Sequence, residues 1–181
     1  MKKIALALIA FFYVSTGYSQ LYKGKTSLVH FLSKSSIEDI EARNTMPVVV
    51  LDQASGALQV KVPIKSFKFA SSFMEEHFNE NYMESEKYPF STFKGKLNEK
   101  VDYSKDGETK VTCTGKLEMH GVTQEVTLPG TVKIRNGEIT LSTEFKVKLV
   151  DYKIKVPSLY VKNIAEEIAV DMSSVLEPFK K

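Results

Sequence analysis

Apolar and polar residues alternate with a period of two along most of this chain. Leu58, Val60, Val62 and Ile64 alternate with Gln59, Lys61 and Pro63. Val111, Cys113, Gly115, Leu117 and Met119 alternate with Thr112, Thr114, Lys116 and Glu118. Ile139, Leu141, Thr143, Phe145, Val147 and Leu149 form the longest such row, and Ile168, Val170 and Met172 form another. Successive side chains of a strand point to opposite faces, so each row marks one buried face and one wet face. Strands of this kind belong to antiparallel sheets. Ser27–Ser33, Ser36–Ala42, Val48–Leu51 and Phe90–Leu97 also read as strands.

Turn signals separate these runs. Ser55-Gly56, Asp106-Gly107 and Asn136-Gly137 each lie between apolar stretches. Asn-Gly tolerates the positive φ angles of a tight hairpin, which predicts pairing of Val132–Ile134 with Ile139–Leu141. Residues 71–84 break the period. Met74, Phe78 and Tyr82 fall at helical spacing, and Ser72 with Glu75 matches a capping box. Tyr88-Pro89 ends this helix, because proline disfavours helix in the residue before it. The expected fold is all-β: a closed antiparallel barrel of about eight strands with one short inserted helix. A barrel of that size has a lumen wide enough for side chains or one small ligand.

The first residues change the picture of where the chain works. Lys2 and Lys3 precede an unbroken apolar run from Ile4 to Val14, and small residues follow up to Ser19. This order reads as a secretory signal over residues 1–19, cut before Gln20. Eleven apolar residues are too few for a spanning helix, which needs about 20. The barrel domain is then 20–181. Without Lys2 and Lys3 it carries 23 basic against 22 acidic residues, interspersed, with no basic block for nucleic acid. No transmembrane segment is expected after the cut, and the destination is periplasmic or secreted. Oligomeric state, including a homodimer, stays open. Cys113 is the single cysteine, so no internal disulfide forms and Cys113 reads as a small buried hydrophobe.

Little in the chain announces catalysis. His30, His77 and His120 show no zinc spacing, and there is no nucleophile elbow, P-loop or dinucleotide fingerprint. Glu75-Glu76 and Glu166-Glu167 are neighbours in sequence, so each pair diverges on a helix or a strand. No catalytic residue, metal or cofactor is assigned. Aromatic residues are abundant instead: Phe31, Phe67, Phe69, Phe73, Phe78, Phe90, Phe93 and Phe145 lie in or beside expected elements. In a barrel some of them line the lumen, and an apolar lumen attracts an apolar guest. The candidate ligand-binding residues are Phe31, Val60, Val62, Phe78, Phe93, Leu117, Met119, Phe145, Val147, Ile168 and Val170. Lys68, His77 and His120 are candidates to meet a polar head.

Two blocks carry a family resemblance. Met74-Glu75-Glu76-His77-Phe78-Asn79-Glu80-Asn81-Tyr82 through Lys87-Tyr88-Pro89, followed by Phe93 and Gly95, resembles the central signature of the YceI-like family. Gly115 to Val126, with Met119-His120-Gly121-Val122-Thr123, resembles its second hairpin. Ser71-Ser72 stands where an Arg often accompanies the family's helix. The resemblance runs from about residue 26 to 175. It implies a lipocalin-like barrel, export to the periplasm, and a tunnel holding a polyisoprenoid or similar amphiphilic lipid. The expected function is therefore an exported carrier or scavenger of an isoprenoid-type or fatty amphiphile. The alternatives are a structural or stress-related barrel with a filled core and, in another class, a lipid- or quinone-modifying enzyme. N-terminal sequencing of exported material should find a start at or near Gln20; a chain still beginning at Met1 would overturn the cleavage reading.

Overall fold

A computed structural model describes residues 20–35, 37–156 and 164–179. The signal-like segment lies outside the described residues. The strands are β1 (Leu21–Ser33), β2 (Ile40–Asn44), β3 (Val48–Asp52), β4 (Ala57–Pro63) and β5 (Lys68–Phe69). After the helix α1 (Ser72–His77) come β6 (Phe90–Leu97), β7 (Gly107–Met119), β8 (Val122–Arg135), β9 (Glu138–Lys148) and β10 (Glu167–Pro178).

These ten segments make eight walls of one closed barrel. β2 and β3 pair with opposite halves of β1 in a single register, from Ser33–Ile40 to Leu21–Asp52. They are one strand interrupted at residues 45–47, where Pro47 has no N–H for a ladder. Asn44, fully buried, is satisfied at the break: its Nδ2 donates to Pro63 O, and its Oδ1 accepts from Met46 N–H. β4 and β5 are likewise one wall, broken after Pro63 by a short 3₁₀ turn, Ile64–Ser66. The remaining neighbours follow chain order, and β10 returns to pair with β1 from Tyr22–Pro178 to Leu32–Ala169.

The strand expected over Ser36–Ala42 starts later. Ser35 Oγ accepts from the N–H groups of Ile37 and Glu38, making a turn there, and the ladder begins at Ile40. The hairpin at Asn136-Gly137 forms as expected, with Val132 opposite Leu141 and Ile134 opposite Ile139. Both turn residues have positive φ, 51° and 76°. His120-Gly121 makes the equivalent turn between β7 and β8, at 50° and 73°.

The helix departs from its expected form in two ways. Its N-cap is Ser71, which places Ser72 inside the first turn, and no side chain caps it. Glu75 instead accepts from the Lys68 ammonium of β5 at 2.6 Å. After His77 the chain widens into a π-type turn over Phe78–Tyr82, in which Met83 N–H donates to Phe78 O. Wide turns of this kind recur at functional sites.

The loops sort to two ends. One carries both described chain ends, the β3–β4 and β8–β9 turns and the β6–β7 loop, whose Val101 and Tyr103 pack on the core. The other carries α1, the β7–β8 turn and the connection from β9 to β10.

Outside the wall, His30 ties three strands together. Its Nδ1 lies 2.7 Å from Asp171 of β10, and its Nε2 lies 2.9 Å from Glu41 of β2. Burial opposes the charged ring, but the bonds to Asp171 and Glu41 outweigh it and raise the His30 pKa above 6.5. Its contribution to stability is therefore fully present below the unfolded value and is lost as pH rises through the folded one. Replacing His30→Gln should lower the urea midpoint more at about pH 5.5 than at about pH 8.5. An equal effect at both values would mean the imidazolium does not hold these strands.

Candidate ligand cavity

The inward rows of the barrel line a cavity of about 440 Å³, within the ordinary range for small-molecule sites. It runs from Leu97 and Val111 to Phe73 and His77 beside the helix. Val60 and Val62 reach it from β4, Phe93 from β6, and Leu117 with Met119 from β7. Phe145 and Val147 reach it from β9, Ile168 and Val170 from β10, and Phe31 from β1. Phe78 covers it from the helix. All eleven residues singled out from the sequence thus line one space. Their outward neighbours Lys61, Lys146 and Lys148 are exposed, so the alternation chose the correct face in each strand.

Two local features keep the lumen hollow and covered. Gly95 and Gly115 face each other across β6 and β7 on the inner side. A Cβ on Gly115 would lie 2.3 Å from Gly95 Cα, and one on Gly95 would lie 2.6 Å from the tip of the Phe93 ring. The glycine pair therefore gives the Phe93 ring its place against the wall. At the helix end, Phe78 stacks on Phe31 with ring centres 5.5 Å apart. It meets Phe67 edge-on at 5.5 Å and Phe69 at 5.1 Å. Aromatic pairs in such geometries gain about 0.5–1.5 kcal/mol beyond area burial.

The polar candidates divide. His77 lines the cavity near its edge, against Phe73 at 4.1 Å between ring centres. Lys68 points to solvent and is engaged by Glu75. His120 lies apart from the cavity lining. Its Nε2 is 2.8 Å from Glu84 Oε2 and its Nδ1 is 3.1 Å from Tyr152 O. This ties the β7–β8 turn to the segment after the helix and to the β9–β10 connection. His120 and Lys68 thus both engage protein partners, and neither lines the cavity.

Cys113 faces the lumen, and burial, with Glu99 adding to it, pushes its thiol up to about 11. Such a thiol is inert. Among the described residues no three His, Cys, Asp or Glu side chains group as metal ligands. Sequence patterning missed Ile154 and Ile164, which line the cavity from the irregular β9–β10 connection. A segment without a period carries no signal of the face it buries.

The YceI-like domain matches residues 19–176. The chain belongs to the YceI-like family. No functionally curated protein matches it. Among solved structures it resembles a polyisoprenoid-binding domain from Saccharophagus degradans, at 16% identity and a TM-score of 0.75, over 87% of this chain and 98% of that one. It also resembles BcnA of Burkholderia cenocepacia, at 20% identity and TM-score 0.68, over 83% and 96%. The YceI protein of Campylobacter jejuni matches at 24% identity and TM-score 0.56, over 82% and 86%. At these identities the likeness establishes the barrel.

Gly115→Ala should be costly despite its size, because its Cβ meets backbone on the partner strand. A loss of about 1–3 kcal/mol in chemical denaturation is expected, the range for overpacking. A neutral effect would mean that β6 and β7 part freely at the glycine pair.

Proposed function

We propose that this protein is an exported binder and carrier of an isoprenoid-type or fatty amphiphile, held by its chain inside the barrel. The cavity carries this reading: it is about 440 Å³ and lined by inward rows of Val, Leu, Ile, Met and Phe. A solid interior would have favoured the filled-core alternative. Each methylene taken from water contributes about 0.8 kcal/mol, so a five-carbon isoprene unit contributes roughly 3–4 kcal/mol before ordering losses. Affinity then needs no specific hydrogen bond. The polyisoprenoid-binding neighbour from Saccharophagus degradans supports the same class of guest. The signal-like residues 1–19 support export.

Binding fits the lining better than catalysis does. Glu38 is its one carboxylate among the described residues. His120 does converge with a carboxylate, Glu84, but away from the cavity.

Organic extraction of natively purified protein, followed by mass spectrometry, should release an apolar amphiphile. Phe78→Ala tests the contact directly. Phe78 is half-buried, so the stability loss should fall below the roughly 3–5 kcal/mol of a fully buried Phe, at about 2–3. Affinity for a fluorescent fatty-acyl probe should fall about tenfold, the equivalent of about 1.4 kcal/mol. Unchanged affinity in the folded variant would make the helix scaffold alone.

A further inference from the structure

One wall of the barrel is incomplete. β8 and β9 pair only beside their shared turn, from Arg135–Glu138 to Thr131–Ser142. Beyond that point, residues 122–130 keep their ladder to β7 and residues 143–148 keep theirs to β10. The two strands have no ladder with each other there.

The cavity reaches this gap. Leu128 and Thr143 belong to the inward rows of β8 and β9, and they line it. Pro129, Thr131 and Ser142 belong to the outward rows, and they line it too. In a strand, alternate residues face opposite sides of the wall. The lumen therefore lies against the end of the β8–β9 ladder, where the hydrogen bonds between these two strands stop.

Local chemistry bounds the opening. Pro129 has no N–H to offer a partner strand. Its carbonyl accepts from the Thr143 hydroxyl, so a side chain occupies the next acceptor of the ladder. At Gly130 the strands still run close together: a Cβ there would lie 2.8 Å from Ser142 O. At the other limit, the turn Leu149–Tyr152 crosses back toward β8, and Gln124 Nε2 donates to Asp151 O at 3.0 Å. The result is a window in the side wall, closed below and above.

The geometry points to this window between β8 and β9 as the portal through which the apolar chain of an amphiphile enters and leaves the cavity. The proposal rests on the lipid-binding reading. It adds a route distinct from passage beneath the helix, where the four-phenylalanine cluster and the Lys68–Glu75 pair hold α1 to the barrel.

The test closes the window reversibly. Continuing the register of Thr131–Ser142 sets Thr127 opposite Lys146, both on the outer row. In the double variant Thr127→Cys with Lys146→Cys, oxidation, or a short thiol-reactive crosslinker that contains a cleavable disulfide, bridges the strands. The native Cys113 is buried and stays out of the reaction. Uptake and release of cis-parinaric acid by the delipidated protein are followed by stopped-flow fluorescence. The bridged protein should show both rates slowed about tenfold, with affinity unchanged to within about twofold, because a portal acts on rates and not on the bound state. Reduction of the disulfide should restore the rates, which also shows that the variant is folded. Equal rates in the bridged and open forms would overturn the portal. So would slowing seen only when Lys68→Cys and Glu75→Cys are bridged, since entry would then run beneath the helix. Failure of the wild-type protein to bind the probe at all would instead overturn the lipid-binding reading, and the portal with it.

Discussion

The ladder between β1 and β10 joins the two ends of the domain and turns an open sheet into a barrel. Without it, both strands would present unpaired N–H and C=O groups, the usual template for aggregation. With it, every inward side chain has to share one enclosed lumen. His30 stands on this closure, between Asp171 of β10 and Glu41 of β2, on the outer side. The charges lie outside and the apolar rows inside, and both follow from where the strands meet.

An eight-walled barrel can be filled by its own side chains. This one is not, and the reason is local. The facing glycines of β6 and β7 leave the inner wall bare, and the Phe93 ring lies flat in the space they vacate. At one end the aromatic cluster of Phe31, Phe67, Phe69 and Phe78 supports the helix as a cover and lines that end of the cavity. The π-type turn after His77 belongs to the same arrangement, since it begins at Phe78 itself. A hollow core forgoes dispersion contacts that a packed one would make. Retaining it is consistent with a lumen meant for a guest.

The polar groups that the family resemblance singles out hold the cover in place. His120 reaches Glu84 after the helix and the carbonyl of Tyr152 in the β9–β10 connection, while its ring meets Tyr88 edge-on at 4.6 Å. Glu84 and His120 are themselves two of the four non-glycine residues at positive φ among the described residues. Left-handed backbone costs a non-glycine residue about 1 kcal/mol or more, so their mutual bond offsets strain where three loops converge. The signature around His120-Gly121 is thus explained by architecture and does not require a role in chemistry.

Much of this was legible in the chain itself. Period-two alternation decided the class, the inward rows and the lining residues from Val60 to Val170, because a slip by one residue would exchange the two faces of a strand. Asn136-Gly137 decided its own hairpin by backbone preference. Other features depended on partners distant in sequence. Glu75 matched a capping box, yet Lys68 took its carboxylate. His120 reads in sequence as a candidate for a ligand's polar head, yet its two ring nitrogens meet Glu84 and the Tyr152 carbonyl. Gly95 and Gly115 are twenty residues apart, and only the β6–β7 register brings them face to face. Pro129-Gly130 marks the edge of the window in the sequence, but which strand fails to pair there depends on how β8 and β9 diverge. Alternation records which side of a wall a residue faces, and only the folded barrel decides which walls meet.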